Sequence, residues 1–245
     1  MFFLFICLIR FAAKGRSTNE ADAILNVATS SGFREVSPFF ISMKELPHII
    51  DKTRKRIQAR AGYFLVIRNS KLGLGSAYRD GFLWGVNKKF SFMIQMDADF
   101  SHTFNDLDNI LNESKTSDVV IGSRYVEGGG SEGWDFKRKL LSKSANLVSR
   151  IVLQSRINDM TSGFRSYSAN TLDKIKFQNT KSEGYSFQIE MTMRCEISTL
   201  EIKEIPIIFN ERRVGNSKMS KKIIIEALLF LAKNGIRRWL NLKIK

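Results

Sequence analysis

Short apolar runs alternate with stretches of helical period along most of the chain. Residues 2–9 form a continuous apolar run that stops at Arg10, the pattern of a strand buried on both faces of a parallel sheet. Residues 63–67 read the same way. After a glycine-rich turn, residues 76–86 carry helical spacing, 90–96 are apolar again, 104–113 are amphipathic and helical, and 119–122 are apolar. This β-α-β-α-β rhythm predicts an α/β fold, with a mainly parallel sheet and helices on both faces. Four glycines in Glu127-Gly128-Gly129-Gly130-Ser131-Glu132-Gly133 predict a mobile loop, because ordering glycine costs the most backbone freedom. Beyond it, Leu140, Leu141, Leu147, Val148, Ile151 and Val152 fall on one helical face. Residues 185–195 read as a helix and 204–209 as a strand, with Pro206 marking an edge or a strand start. Residues 32–50 match no strand-turn that such a fold needs, and Pro47-His48-Ile49-Ile50 is a poor buried strand.

The last periodic segment is Ile223 to Leu231, interrupted only by Glu226 and flanked by Lys218, Lys221, Lys222, Lys233, Arg237 and Arg238. Two readings stand open for it: a core helix with a solvated tip, or a helix lying on a membrane surface. No run reaches the ~20 apolar residues of a spanning helix. The amino terminus lacks the charged start and small-residue cleavage site of a secretory signal. Charge adds a second constraint. A net +15 over 245 residues, with pI near 9.9, favours phosphates, nucleic acid or an anionic membrane without choosing among them. No base-reading motif accompanies it, so no specific nucleic-acid partner is expected. Cys7 and Cys195 lack metal-ligand spacing and read as free thiols of a reducing compartment. Two histidines do not supply a multi-histidine metal site.

The candidate chemistry sits where a strand ends. In Phe92-Met93-Ile94-Gln95-Met96-Asp97-Ala98-Asp99 an apolar strand delivers two carboxylates to its carboxyl edge, where open α/β sheets bind ligands. Carboxylates one residue apart can hold a hard divalent cation, Mg²⁺ or Mn²⁺, which in turn grips a diphosphate. Taken alone, Asp-x-Asp is also an ordinary turn. Lys71, before the glycine turn Gly73-Leu74-Gly75, can reach a phosphate while the backbone comes close. Arg124 follows a strand and Arg138 opens a helix, and either guanidinium can clamp a phosphate. Arg212 and Lys218 lie on a basic loop. Asp159 reads either as a residue orienting this wall or as a cap or turn residue.

Taken in order, several segments resemble one family. Lys71-Leu72-Gly73-Leu74-Gly75, Asp97-Ala98-Asp99-Phe100-Ser101-His102, Val120-Ile121-Gly122-Ser123-Arg124-Tyr125, Thr161-Ser162-Gly163-Phe164-Arg165, Gly184-Tyr185-Ser186-Phe187-Gln188-Ile189-Glu190 and Arg212-Arg213-Val214-Gly215-Asn216-Ser217-Lys218 are similar to the motifs of dolichol- and polyprenol-phosphate mannosyltransferases. These are inverting family-two glycosyltransferases with a Rossmann-like GT-A fold. The resemblance covers about Lys71 to Leu231. It implies one glycosyltransferase domain over 1–245, with an atypical nucleotide-binding part at 1–62, the metal, donor and acceptor site at 63–219, and a C-terminal helix at 220–245. It implies transfer of mannose from GDP-mannose to a polyprenyl or dolichyl phosphate by a protein peripheral to the cytoplasmic side of a membrane, with a membrane-protein partner as a further option. Asp97 and Asp99 would hold the metal. Glu20, Lys71, Asp97, Ala98, Asp99, Arg212 and Lys218 would meet the donor, and Arg124, Arg138 and Ser142 the acceptor phosphate. Asp97, Asp99 and Arg124 would carry catalysis. Some family members have Gln where Ser101 stands, which leaves the metal's third protein ligand open.

The first sixty residues depart from the family. Ser17-Thr18-Asn19-Glu20 keeps Asn-Glu without the family's Pro and Tyr, and only Asp51-Lys52-Thr53 stands where a second nucleoside motif belongs. The expectation is weak nucleotide binding. Another sugar, such as glucose from UDP-glucose, or a non-catalytic descendant remain alternatives.

Overall fold

Strict alternation along the central strands builds two separate cores. The computed structural model describes residues 3–8, 39–43, 63–67, 73–97, 101–211, 221–240 and 242. Strands β1 (Phe3–Leu8), β2 (Phe39–Met43), β3 (Tyr63–Ile67) and β4 (Phe92–Asp97) lie parallel in the order β3-β2-β1-β4. The sheet continues through β7 (Arg165–Ser168), β5 (Val119–Ser123) and β8 (Ile202–Pro206). Only β7, among the described strands, runs against its neighbours, wedged between β4 and β5. A separate parallel ladder joins β6 (Gly130–Ser131) to β9 (Ile208–Phe209). The helices are α1 (Leu74–Asn87), α2 (Phe104–Glu113), α3 (Phe136–Leu153), α4 (Ala169–Lys174), α5 (Gly184–Ile197) and α6 (Lys221–Trp239).

Met93, Val119, Ile121 and Tyr167 face one side, where they join Tyr78 and Phe82 of α1 and Phe187 and Met191 of α5. Their neighbours Ile94 and Val120 face the other side and meet Leu107 and Ile110 of α2. One strand therefore feeds both layers, which is why these strands are apolar at successive positions. The expected mainly parallel sheet with helices on both faces is what the chain forms. Helix starts follow local chemistry. Thr103 and Asp106 make a reciprocal capping box at α2, and the Asp135 side chain accepts from the Arg138 amide at α3.

Three expectations need correction. Residues 39–43 form β2, paired in parallel with both β1 and β3, although the 32–50 stretch reads as strandless. The strand is the apolar run Phe39-Phe40-Ile41-Ser42-Met43, and two neighbouring strands complete its ladder. The glycine-rich segment is not wholly loop, because Gly130 and Ser131 pair with Ile208 and Phe209. Gly129 accounts for the approach: a Cβ there would lie 2.6 Å from the Ser123 carbonyl oxygen. The expected 204–209 strand is split. Pro206 ends the edge strand β8 rather than starting one, and β9 joins the other ladder.

Close helix packing rests on glycine at the start of α1. A Cβ on Gly75 would meet the Ser182 carbonyl oxygen at 2.4 Å and the Phe187 ring at 2.9 Å. Gly75→Ala is expected to lower stability by about 1–3 kcal/mol through overpacking. Thermal unfolding followed by circular dichroism measures it, and an unchanged midpoint refutes the packing role.

Candidate active site

Strand order turns around between β1 and β4, since β1 leads outward to β2 and β3 while β4 leads the other way. Ligands of such sheets bind outside the carboxyl ends at this point. Asp97 is the last residue of β4 and pairs with Leu8 of β1 across that crevice. It is half-buried, and Gly163 lies behind it: a Cβ there would stand 3.6 Å from Asp97 Oδ2. Ala98 and Asp99 lie outside the described residues, as do Glu20, Asp51, Lys71, Arg212 and Lys218. No cluster of three acidic, histidine or cysteine side chains that could hold a metal occurs among the described residues. Asp97 is the one described member of the expected Asp97–Asp99 pair.

The antiparallel direction of β7 matters here. The loop entering it, residues 157–164, runs along the same edge at which β4 and β5 end, so it touches both. From this loop Asp159 takes hold of Arg124, one residue past β5. Arg124 donates from Nε to Oδ2 at 2.7 Å, from Nη2 to Oδ1 at 2.7 Å, and from its own amide to Oδ2 at 3.0 Å. Nη2 also donates to Thr161 Oγ1 at 2.9 Å. The pair is buried, with side-chain exposures of 9% for Arg124 and 0% for Asp159. Burial pushes the Asp159 carboxyl up, but the Arg124 charge and hydrogen bonds more than reverse this and leave it lowered. For Arg124, burial works to lower the pKa and Asp159 overcomes it, leaving the pKa raised. Glu204 steadies the loop by accepting from the Asn158 and Asp159 amides. Arg165, fully buried, donates to the carbonyls of Ser162, Met160 and Gln188 and to Thr192 Oγ1.

Arg124, Arg138 and Ser142 come together. The Tyr125 hydroxyl donates to Ser142 Oγ at 2.7 Å. Asn146, one turn further along α3, links Ser142 to Thr161 by donating to the Ser142 carbonyl and to Thr161 Oγ1. Trp134 lies between the two arginines, its ring centroid 4.2 Å from the Arg138 guanidinium carbon and 5.5 Å from that of Arg124. Arg138 also pairs with Glu211 at 3.0 Å, an exposed contact. Tyr125, Trp134, Asn146 and Glu211 escaped the sequence reading. The i, i+4 pair Ser142 and Asn146 on one polar helix stripe was the available signal.

The glycine turn packs closely against the protein itself. Glu183 fills the space beside Gly73 and accepts from the Ser76 amide at 2.9 Å while pairing with Arg79. The glycines here admit the segment leading into α5, because a side chain at either would strike Glu183 or Ser182. Glu226 of α6, the acid that interrupts its apolar run, accepts from the Glu183 amide and from the Ser186 hydroxyl at the start of α5.

Behind the arginines, α3 and α6 pack together, with Gly235 against Val152 and Trp239 Nε1 donating to the Val152 carbonyl. The apolar stripe of α3 does not enter the core: Leu140, Leu141, Leu147, Val148 and Ile151 are exposed. On α6, Ile225, Leu228, Leu229, Ile236 and Trp239 are exposed while Leu231 is buried. The helix thus carries one core face and one apolar outer face. No helix among the described residues is long and apolar enough to cross a membrane.

A mainly parallel sheet with Asp97 at its turning point and Arg124 along the same edge is the arrangement of a GT-A glycosyltransferase. Solved structures agree on the fold. Glucosyl-3-phosphoglycerate synthase from Mycobacterium tuberculosis, in complex with uridine diphosphate, superposes with a TM-score of 0.59 at 14% identity, over 100% of this chain and 82% of that one. The same enzyme with Mn²⁺, UDP and product gives 0.60 at 12% identity, over 100% and 81%. The chain belongs to glycosyl transferase family 2, whose pattern matches residues 42–176. It is 44% identical over 171 residues to a polyprenol monophosphomannose synthase of Mycolicibacterium smegmatis, covering 69% of this chain and 64% of that protein, so under two thirds of that relative's length is spanned. It is 41% identical over 179 residues to an undecaprenyl-phosphate mannosyltransferase of Micrococcus luteus, covering 73% and 74%.

The lowered Asp159 pKa gives a pH dependence. Its contribution to stability is complete above the unfolded-state value of ~3.9 and is lost as pH falls through the folded value. Arg124→Ala strands a buried carboxylate and is expected to cost about 3–5 kcal/mol. Replacing the pair by Arg124→Met with Asp159→Leu is expected to cost less than either single change and to flatten the stability loss below pH 4 (the ~3.9 reference). Urea unfolding between pH 2 and 7 checks both; equal slopes in parent and double variant refute the role of the pair.

Proposed function

We propose that the chain transfers mannose from GDP-mannose to a polyprenyl or dolichyl phosphate, with inversion, at the cytoplasmic face of a membrane to which it binds peripherally. The observation that carries this reading is the gathering of Arg124, Arg138 and Ser142 on one aromatic floor, along the sheet edge where Asp97 ends β4. The relatives, a polyprenol monophosphomannose synthase and an undecaprenyl-phosphate mannosyltransferase, support the acceptor class and the sugar.

In this reading a phosphate oxygen of the lipid attacks the anomeric carbon of the donor. The bond from that carbon to the nucleoside diphosphate breaks, and GDP leaves with the electron pair. The attacking oxygen is already anionic, so no strong general base is needed. What the site supplies is position and charge. Arg138 and the free edge of Arg124 hold the acceptor phosphate, while Asp159 fixes the Arg124 plane. Asp97 and Asp99 would hold Mg²⁺ or Mn²⁺, which neutralises the departing diphosphate when bound. Lys71, Arg212, Lys218, Glu20 and Ala98 remain donor-side candidates from the sequence. The two exposed apolar helix faces, with basic residues alongside, suit a membrane surface or a membrane-protein partner.

Radiolabelled mannose from GDP-mannose is expected to enter an organic-soluble product, and UDP-glucose serves as the contrasting donor. Asp97→Ala is expected to abolish this transfer with thermal unfolding unchanged. Arg138→Ala is expected to raise the KM for polyprenyl phosphate about tenfold, as loss of a charged hydrogen bond implies, and the GDP-mannose KM little. Persistent transfer in excess EDTA refutes the metal, and a rise confined to the donor KM puts Arg138 on the wrong substrate. In flotation with anionic liposomes the protein is expected to rise with the vesicles, less so in high salt. Recovery at the bottom of the gradient under both conditions refutes peripheral attachment.

A further inference from the structure

Trp134 stands immediately before the α3 N-cap, Asp135, in a polar, glycine-rich segment with no core of its own to join. Three observations meet on it. Its ring lies 4.2 Å from the Arg138 guanidinium carbon and 5.5 Å from that of Arg124. Phe209 of β9 packs edge-on against the same ring at 5.3 Å. Its indole Nε1–H is buried and has no hydrogen-bond partner among the described residues. A buried orphan N–H is costly, and a native fold keeps few of them. Two like charges brought this close also repel, and the π face of an indole offsets part of that cost.

Unspent donors flank this ring. Arg124 uses Nε and Nη2 on Asp159 and Thr161, and its Nη1 makes no hydrogen bond among the described residues. Arg138 commits only Nη1, to an exposed Glu211. Adding Trp134 Nε1–H gives three donors from three residues around one ring and no acceptor among the described groups to meet the indole. We infer that Trp134 completes the acceptor-phosphate site: its ring face holds the Arg138 guanidinium beside Arg124, and its Nε1–H donates to a phosphate oxygen. This rests on the acceptor reading above and extends it to a residue outside the arginine and serine set. The ligand it selects is a phosphate monoester at a chain end, because a tetrahedral group with several anionic oxygens can take all three donors at once.

Two substitutions separate ring from N–H. Trp134→Phe keeps the ring and removes the donor; Trp134→Leu removes both. Trp134→Phe is expected to raise the KM for polyprenyl phosphate roughly tenfold, the loss of one hydrogen bond to a charged group, with kcat and the GDP-mannose KM within about twofold. Trp134→Leu is expected to raise it further. Trp134→Leu with Arg138→Ala is expected to exceed Arg138→Ala only by the roughly tenfold of the lost N–H, because the ring's hold on Arg138 is already gone in the single variant. A Trp134→Phe acceptor KM equal to the parent's overturns the N–H role, and additive effects in the double variant overturn the ring's hold on Arg138. A parallel loss of kcat and melting temperature without a KM split reduces Trp134 to packing and overturns the inference. A binding measurement keeps the acceptor reading separate. With Trp84→Phe and Trp239→Phe, Trp134 is the sole tryptophan of the chain's three. Its emission is expected to change on titration with detergent-solubilised polyprenyl phosphate and to saturate. No change with either that lipid or inorganic phosphate, while Arg138→Ala still weakens acceptor use, overturns Trp134 alone. No change together with an unaffected Arg138→Ala variant overturns the acceptor reading and the inference with it.

Discussion

One buried carboxylate holds this edge of the molecule together. Asp159 is fully enclosed, and the two guanidiniums nearest its loop, Arg124 and Arg165, are nearly or wholly enclosed as well. An isolated charge cannot be kept there, so each of the three needs the others and a full set of hydrogen bonds. Arg165 meets that requirement with carbonyls and Thr192, tying α5 and the 157–164 loop to β7. Arg124 meets it with Asp159 and Thr161. The loop can therefore take few shapes, and the shape it takes sets Gly163 behind Asp97 and Arg124 beside Trp134. One buried carboxylate thus sets how Asp97 and Arg124 stand along the same sheet edge.

Local chemistry was legible in the sequence and tertiary pairing was not. The α2 boundaries, Phe104–Glu113, follow from the amphipathic spacing and the Thr103–Asp106 box. Strand β3 follows from its apolar run. By contrast β2 is five residues long and owes its place to partners on both sides, which no local pattern records. Periodicity placed the leucines of α3 on one face but could not say which way that face points; it points outward. The glycines before α1 announced a close approach correctly while leaving the neighbour unnamed, and the neighbour is Glu183. Asp97 and Arg124 were singled out within ordered motifs, and Arg138 and Ser142 through the resemblance beyond the glycine segment. What joins the last three, Asp159, Thr161, Asn146, Tyr125 and Trp134, is a network across elements far apart in the chain.

Glu226 shows how a surface helix is kept in register with the interior. An acid within an apolar stretch ordinarily marks the solvent face. Here it accepts from the amide of Glu183, the residue before α5, and from the Ser186 hydroxyl, and the Glu183 side chain accepts in turn from the Ser76 amide at the start of α1. The outer apolar face of α6 and the glycine turn before α1 are thereby linked through consecutive hydrogen bonds, each at a helix start where free amides need acceptors.

The wedge formed by β7 also bears on the order in which the molecule is made. β4 and β5 are synthesised early and lie near each other in sequence, yet they never pair; a four-residue strand that emerges after α3 must slot between them. Until Arg165–Ser168 leaves the ribosome, both strands present bare inner edges, the feature that most invites pairing with the wrong chain. The central sheet is closed by a late, short insertion, so premature termination between β5 and that strand leaves β4 with a bare edge and β5 without either of its neighbours, rather than a smaller version of the fold.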